Sequence, residues 1–357
     1  MRFTLLVLLI NACTSRRVAI VTGASRGIGR GIALELGAAG FAVHVLGRSS
    51  RATFQTTERP VPAGADLTVE SAAEAINNAA GPGTGHARAC DLSNDDEVAA
   101  AIAAVTEAEG RLDVLVCSAY TTPPGQLRAD FWTQGMDMWD ACNGVGLRGV
   151  YATCVKAVPP MIETASRSLG EAVPPPLIVL VSSFGGKAYT FNVAYGVGKA
   201  AVDRLASDMG YQLKSKGVAT VSLYPGVVAT EANLQMEVEG TWAEASGGLD
   251  LSSGETPNLS GKAVVALTEL EGEALMERSG SVQVVAELAN ELGFAEEDGR
   301  VPPSIRSLKY LAPNFVFPQI EKESGKPVPD WLRENVPDLL LPWSVFSAGP
   351  PPEPEDD

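Results

Sequence analysis

VAIVTGASRGIG, residues 18–29, is the stretch from which the fold is read. Val18 to Val21 is a compact apolar run, the mark of a strand buried on both faces. Gly23, Gly27 and Gly29 follow directly, and Ile28 to Ala39 carries helical spacing. A strand that turns through glycines into a helix leaves the first helical N–H groups free and the positive end of the helix dipole exposed. Ser25, Arg26 and Ile28 lie within that turn. Such a turn can receive a pyrophosphate, because glycines let the backbone come close and the helix N-terminus favours negative charge. A glycine trio alone is weak evidence, and a tight turn without a ligand remains the alternative. Its place after the first strand of the chain gives it weight.

Outward from this unit the pattern repeats. Strand-like runs stand at Phe41 to Leu46, His86 to Cys90, Leu112 to Val116, Leu177 to Val181, Val218 to Leu223 and Val282 to Ala286. Helical stretches separate them: Glu70 to Ala79, Asp96 to Glu109, Met138 to Val158, Ala194 to Lys214 and Lys262 to Leu270. Apolar runs alternating with helices predict an α/β fold of Rossmann type: a doubly wound parallel sheet of about seven strands with helices on both faces. The expected organisation is an apolar N-terminal extension (1–16), one catalytic domain (17–310) and a C-terminal extension (311–357) with an acidic, Pro-rich tail expected to be disordered. Within the domain, 49–66 reads as an irregular insertion. The long loop 227–259 reads as a lid or a disordered segment over a substrate.

Composition narrows the class. Of 357 residues, 27 are basic and 43 acidic, a formal net charge of −16, which argues against a nucleic-acid partner. The five cysteines (Cys13, Cys90, Cys117, Cys142, Cys154) are odd in number and lack CxxC spacing. With only His44 and His86 as histidines, neither a disulfide framework nor a metal site is expected. The apolar run Phe3 to Ile10 is too short to span a bilayer. A targeting signal is one reading of residues 1–16; a dispensable extension is the preferred one. A cytoplasmic protein is expected, with association to the endoplasmic reticulum or another organelle membrane as the alternative.

Three further motifs carry chemistry. No Asp or Glu lies where an NAD-type site would hold the ribose 2′-hydroxyl. The second strand instead ends at Arg48, and with Arg26 it offers two guanidinium groups for a 2′-phosphate. NADP(H) is therefore expected, with NAD(H) less favoured. Asp91 and Leu92 close the third strand, where the carboxylate can accept from an adenine amino group. Tyr195 and Lys199 stand four residues apart on one helical face. An ammonium beside a phenol favours the phenolate, so the pair can serve as a general acid or base. Ser182 and Ser183 close the fifth strand, where a hydroxyl faces the crevice in which ligands bind. Pro225, Gly226, Val228 and Thr230 follow the sixth, placed to reach the nicotinamide end.

The ordered set TGASRGIG, CDLS, Ser-Ser, YxxxK and PGxxxT resembles the short-chain dehydrogenase/reductase superfamily over about residues 17 to 310. Segments such as GRLDVLV (110–116) and FNVAYGVGKAA (191–201) are similar to one branch, that of dehydrogenase/reductase SDR family member 1 and its bacterial relatives. The resemblance implies an NADP(H)-dependent oxidoreductase that reduces a ketone or aldehyde, of steroid or xenobiotic type, to an alcohol. It assigns Ser183, Tyr195 and Lys199 as catalytic residues and Ser118 to the cofactor site. The usual spacing would choose Ser182; matching the strand ends, and the alternation of side chains along a strand, favour Ser183.

Two departures accompany the resemblance. The superfamily's Asn-Asn-Ala-Gly after the fourth strand reads Cys117-Ser118-Ala119-Tyr120 here, and its tetrad Asn falls at Gly146, for which Asn143 or a water could stand in. A non-catalytic NADP(H)-binding sensor or scaffold on the same fold is the rival reading. Partners expected are a small carbonyl or alcohol substrate and further copies of the chain, as a homodimer or homotetramer. The pairing would use Val145, Tyr151, Val155 and Val158 on one helix and Ala200, Ala201, Ala206 and Ser207 on another. The apolar cluster Trp331-Leu332 and Leu339 to Phe346 reads as a cover for the chain's own surface or a subunit contact, with a peripheral membrane contact as the alternative.

Overall fold

The computed structural model describes residues 16–53, 62–123, 129–167, 173–246 and 248–348. The expected N-terminal extension up to residue 15, the middle of the 49–66 insertion and the tail from 349 lie outside the described residues. Seven strands form one parallel sheet in the order β3-β2-β1-β4-β5-β6-β7. They are β1 (Val18–Thr22), β2 (Ala42–Gly47), β3 (Thr84–Ala89), β4 (Val114–Cys117), β5 (Leu177–Val181), β6 (Ala219–Tyr224) and β7 (Val282–Val284). The order reverses between β1 and β4, and the strand ends there open the crevice in which doubly wound folds bind ligands.

The hydrophobic pattern explains the layers. β1, β2 and β6 are buried at every residue, as their unbroken apolar runs require. Edge strand β3 is the exception. It exposes His86, Ala87 and Ala89, since only one neighbour pairs with it. One core lies between the sheet and α1 (Gly27–Ala38), α2 (Val69–Asn78) and the later α9 (Pro257–Thr268). The other lies beneath α3 (Asp95–Glu109), α5 (Val150–Arg167) and α6 (Val193–Leu213). Helix starts follow the side chains that can cap them. The Thr68 hydroxyl accepts from the Ser71 N–H, Asn94 from Asp96 and Glu97, and Asn192 from Tyr195.

Three expectations change. The helix read over Met138 to Val158 is two helices, α4 (Gly135–Asn143) and α5, joined by a wide π-type turn at Gly144–Gly149. Gly144, Gly146 and Gly149 in that turn give a helical period no side-chain reason to continue. The 227–259 segment is not structureless. It folds into α7 (Glu231–Val238) and α8 (Trp242–Ser246), and a β-bridge from Val228 to Glu255 closes it. The Trp242 indole donates to the Leu249 carbonyl at 2.6 Å and ties down the return limb.

The third change concerns the C-terminal extension, which packs on the domain. α10 (Gly272–Arg278) precedes β7, and α11 (Val285–Leu292) lies between β7 and the extension. A helical run of α12 (Leu308–Leu311), a π-type turn and α13 (Phe317–Ser324) crosses the expected boundary at residue 310. After α14 (Asp330–Glu334), a short helical turn brings Trp343 and Phe346 to 6.5 and 4.9 Å from the Phe184 ring. Trp331, Leu339, Leu340 and Val345 stay exposed, so only part of that apolar cluster covers the chain's own surface.

Candidate active site

One crevice of about 1200 Å³ runs across the C-terminal ends of the strands. Gly23, Ser25, Arg26, Ile28, Gly29, Arg48, Asp91, Leu92, Ser118, Ser183, Tyr195, Lys199, Pro225, Gly226, Val228 and Thr230 all line it. Of the expected site residues only Gly27 does not. Its N–H donates to a Glu231 carboxylate oxygen at 2.9 Å. That contact was not legible, because Glu231 lies in the loop whose structure the sequence did not reveal.

The glycine turn packs tightly against the segment that follows β4. Gly23 holds φ +66°, and a Cβ there would lie 2.5 Å from the Ala119 Cα. No other residue fits so close to a neighbouring backbone. The Ser118 N–H donates to the Thr22 hydroxyl at 3.2 Å, which fixes the segment that replaces Asn-Asn-Ala-Gly. Cys117 itself is buried against Cys154, away from the crevice, and its contact with that thiol, together with burial, holds its pKa well above the usual range. The Asn normally expected there is thus replaced by a packing residue.

Beside the end of β2, the Arg26 guanidinium donates to the Ser49 hydroxyl at 2.8 Å and to the Leu67 carbonyl at 3.3 Å. Arg48 is exposed at the crevice mouth. Burial tends to raise the Asp91 carboxyl. The Ser93 N–H and hydroxyl, together with the nearby Arg48 charge, outweigh it and hold Asp91 below its ordinary value.

Beside the end of β5, the Tyr195 hydroxyl donates to the Ser183 hydroxyl oxygen at 2.6 Å. Ser182 points the other way, and its buried hydroxyl donates to the Lys199 carbonyl at 3.2 Å. Alternation along the strand end separates the two serines. The Lys199 ammonium donates to the Val181 carbonyl at 3.0 Å and lies 5.8 Å from the Tyr195 ring centre. The phenol is not lowered here as the Tyr-Lys spacing alone suggested. Burial pushes Tyr195 up to about 12, with the Ser183 contact pulling the other way. Burial lowers Lys199 to about 8, opposed by the Asp203 charge one turn along α6. Asn143 does not face this group. Its amide donates to the Ala194 carbonyl at 3.3 Å, and its oxygen sits against Gly198 on the packed side of α6.

Two features escaped sequence reasoning. Phe191 has φ +62°, the one positive value outside glycine among the described residues, and its ring stands edge-on to Tyr195 at 5.2 Å. Strained backbone of this kind gathers at functional sites. Glu255 is the other. Its carboxyl is 1 % exposed, lies beneath Gly226 with both oxygens lacking a hydrogen-bond partner among side-chain contacts, and burial raises it to about 8.

Fold and crevice together define a doubly wound α/β protein with a serine, a tyrosine and a lysine gathered at the C-terminal ends of its strands. A family model described as short chain dehydrogenase matches residues 17–239. The chain is similar to dehydrogenase/reductase SDR family member 1 of Homo sapiens, 38% identical over 337 residues, covering 91% of this chain and 93% of that protein. The Mus musculus protein of the same name is 38% identical over 309 residues, with 82% and 87% covered. Among solved structures, a putative dehydrogenase from Xanthomonas campestris superposes with a TM-score of 0.62 at 24% identity, over 85% of this chain and 94% of that one. A metagenomic short-chain oxidoreductase in complex with NADP gives 0.54 at 25% identity, over 76% and 96%. A short chain dehydrogenase from Mycobacterium paratuberculosis bound to NAD gives 0.59 at 21%, over 75% and 95%. The chain belongs to the short-chain dehydrogenase/reductase family, and is an oxidoreductase of that family.

Proposed function

We propose that this oxidoreductase uses NADP(H) to reduce a bulky, apolar ketone or aldehyde to the alcohol, with Tyr195 as the proton donor. The observation that carries this reading is the 2.6 Å contact between the Tyr195 and Ser183 hydroxyls at the mouth of the strands. A substrate carbonyl oxygen placed between them would receive two hydrogen bonds where negative charge develops. Bound cofactor would supply the hydride. Ser183 orients the carbonyl oxygen, and the Tyr195 hydroxyl releases its proton to that oxygen. The Lys199 ammonium favours the phenolate left behind. Burial brings that ammonium down to about 8, so its charge is lost a little above neutral pH and controls the phenol.

Arg26 and Arg48 favour a 2′-phosphate, since among the described residues no carboxylate stands at the end of β2 to accept from a 2′-hydroxyl. Similar folds bind either cofactor, so the fold itself does not choose. The substrate class follows from the far wall of the crevice. Tyr189, Phe191, Trp242, Tyr310, Phe315 and Phe346 line it, giving aromatic surface with few charged groups. Steroid-like or xenobiotic carbonyl compounds fit this description better than small polar ones. NADPH oxidation in the presence of a panel of apolar ketones, aldehydes and quinones tests the proposal. Cofactor binding without turnover of any of them supports the rival reading of an NADP(H)-binding scaffold.

A homo-oligomer completes the proposal. Tyr151 and Val155 on α5, with Val193, Val197 and Tyr211 on α6, expose apolar surface on the outer faces of these helices. Val145, Val158 and Ala206, expected in the interface, instead pack toward the chain's own sheet. Light scattering at micromolar concentration should give a multiple of 37.3 kDa. A monomer mass with and without NADPH removes this part of the account.

A further inference from the structure

Lys199 has a charge to keep in a place that works against charge. Its side chain is buried beside the Val181 carbonyl. Burying an ammonium costs more than one neutral acceptor returns. The Asp203 charge offsets part of that cost, and two aromatic rings flank the ammonium. The Tyr120 ring centre lies 4.9 Å from the ammonium, nearer than that of Tyr195, and within the range over which a ring face attracts a cation. Tyr120 stands edge-on to Tyr195 at 5.7 Å and 90°, and packs beside Met138, Cys142 and Ala194.

The space for this ring has a definite origin. A Cβ on Gly146 would lie 2.6 Å from Tyr120 Cδ2 and 3.0 Å from Cε2. Gly146 sits in the wide turn between α4 and α5, and such turns recur at functional sites. The chain therefore pairs a large residue at 120 with no side chain at 146. These are two of the positions where it departs from its superfamily's usual residues.

We propose that Tyr120 is a positioning residue for Lys199: its ring face stabilises the buried ammonium, and the bare backbone of Gly146 is the space that ring requires. The catalytic consequence rests on the function proposed above; the contact does not. The charged and titratable groups that face Lys199 are Tyr195 and Asp203 on its own helix, Cys142 on α4 and Tyr120 after β4. Behind Asp203 stand the Tyr224 hydroxyl, the Ser222 hydroxyl and the Lys187 ammonium. With Lys199 already lowered to about 8, losing the Tyr120 face moves its loss of charge toward neutral pH.

The test reads Lys199 directly, by the nitrogen and ε-carbon NMR shifts of its ammonium across a pH titration of the full chain, assigned with Lys199→Met. Tyr120→Phe keeps the ring face and should keep the midpoint. Tyr120→Leu should lower the midpoint by about half to one pH unit. Gly146→Ala, whose Cβ would displace the ring from its present place, should also lower it and serves if the leucine variant does not fold. A wild-type midpoint in folded Tyr120→Leu or Gly146→Ala overturns the proposal. Because the titration needs no turnover, it stands apart from the catalytic reading. If that reading also holds, the alkaline limb of kcat/KM moves with the midpoint in each variant.

Discussion

The two ends of the crevice are built by different means. The end proposed for the nucleotide is made of locally folded backbone, the glycine turn after β1 and the ends of β2 and β3, with the Arg26, Arg48 and Asp91 side chains that these segments carry. The end proposed for the substrate is made of side chains from scattered segments: Phe191 before α6, Trp242 in α8, Tyr310 and Phe315 around the α12 run, and Phe346 near the end of the described chain. A backbone site depends on local geometry and tolerates few substitutions. A side-chain wall tolerates many and sets what fits. Changes near the turn and the Tyr-Lys helix should therefore abolish function, while changes in the wall should redirect it.

The largest effect is expected at Lys199, where the two ends meet. Lys199→Ala should lower kcat by about 10²- to 10⁴-fold and also weaken NADPH binding, since one ammonium serves both the phenol and the cofactor. A change confined to the substrate KM would break the link between the ends. Arg48→Asp comes next. It should reverse the ratio of NADPH to NADH use, because a carboxylate repels a 2′-phosphate and accepts from a 2′-hydroxyl. An unchanged ratio would mean that Arg48 does not reach the phosphate.

Legibility follows the same division. All seven strands, the glycine turn and the Tyr-Lys pair were readable because each depends on short-range pattern: an apolar run, a fixed spacing, a turn that only glycine allows. The side chain of Ser183, rather than Ser182, meeting Tyr195 follows from strand alternation. The 227–259 segment was not readable. Its order comes from long-range contacts, the Val228–Glu255 bridge and the Trp242 indole bond, and these leave no periodic trace. Tyr120 was equally hidden. Its role depends on Gly146 and Lys199, 26 and 79 residues away, and read alone it is only a departure from a family pattern.

The smallest effect sharpens the account of the substrate-side loop. Glu255 keeps its proton in the folded chain up to about pH 8, against an ordinary value of 4.5. Between these values the unfolded chain has released the proton while the folded chain holds it, so folding stability falls as pH rises through that window. At pH 7 the effect is at most about 3 kcal/mol. Glu255→Gln should remove this fall, raising Tm relative to wild type increasingly from pH 5 to pH 8. A constant difference in Tm across that range would show that Glu255 is ionised in the fold.

The central claim is that Tyr195 supplies the proton while the cofactor is held elsewhere. Tyr195→Phe tests it most directly, by measuring NADPH affinity from fluorescence and NADPH oxidation with the best substrate of the panel on the same preparation. The account predicts NADPH affinity within a few-fold of wild type and turnover reduced by about 10²- to 10⁴-fold. Turnover within about twofold of wild type, well short of what losing a general acid produces, would contradict it.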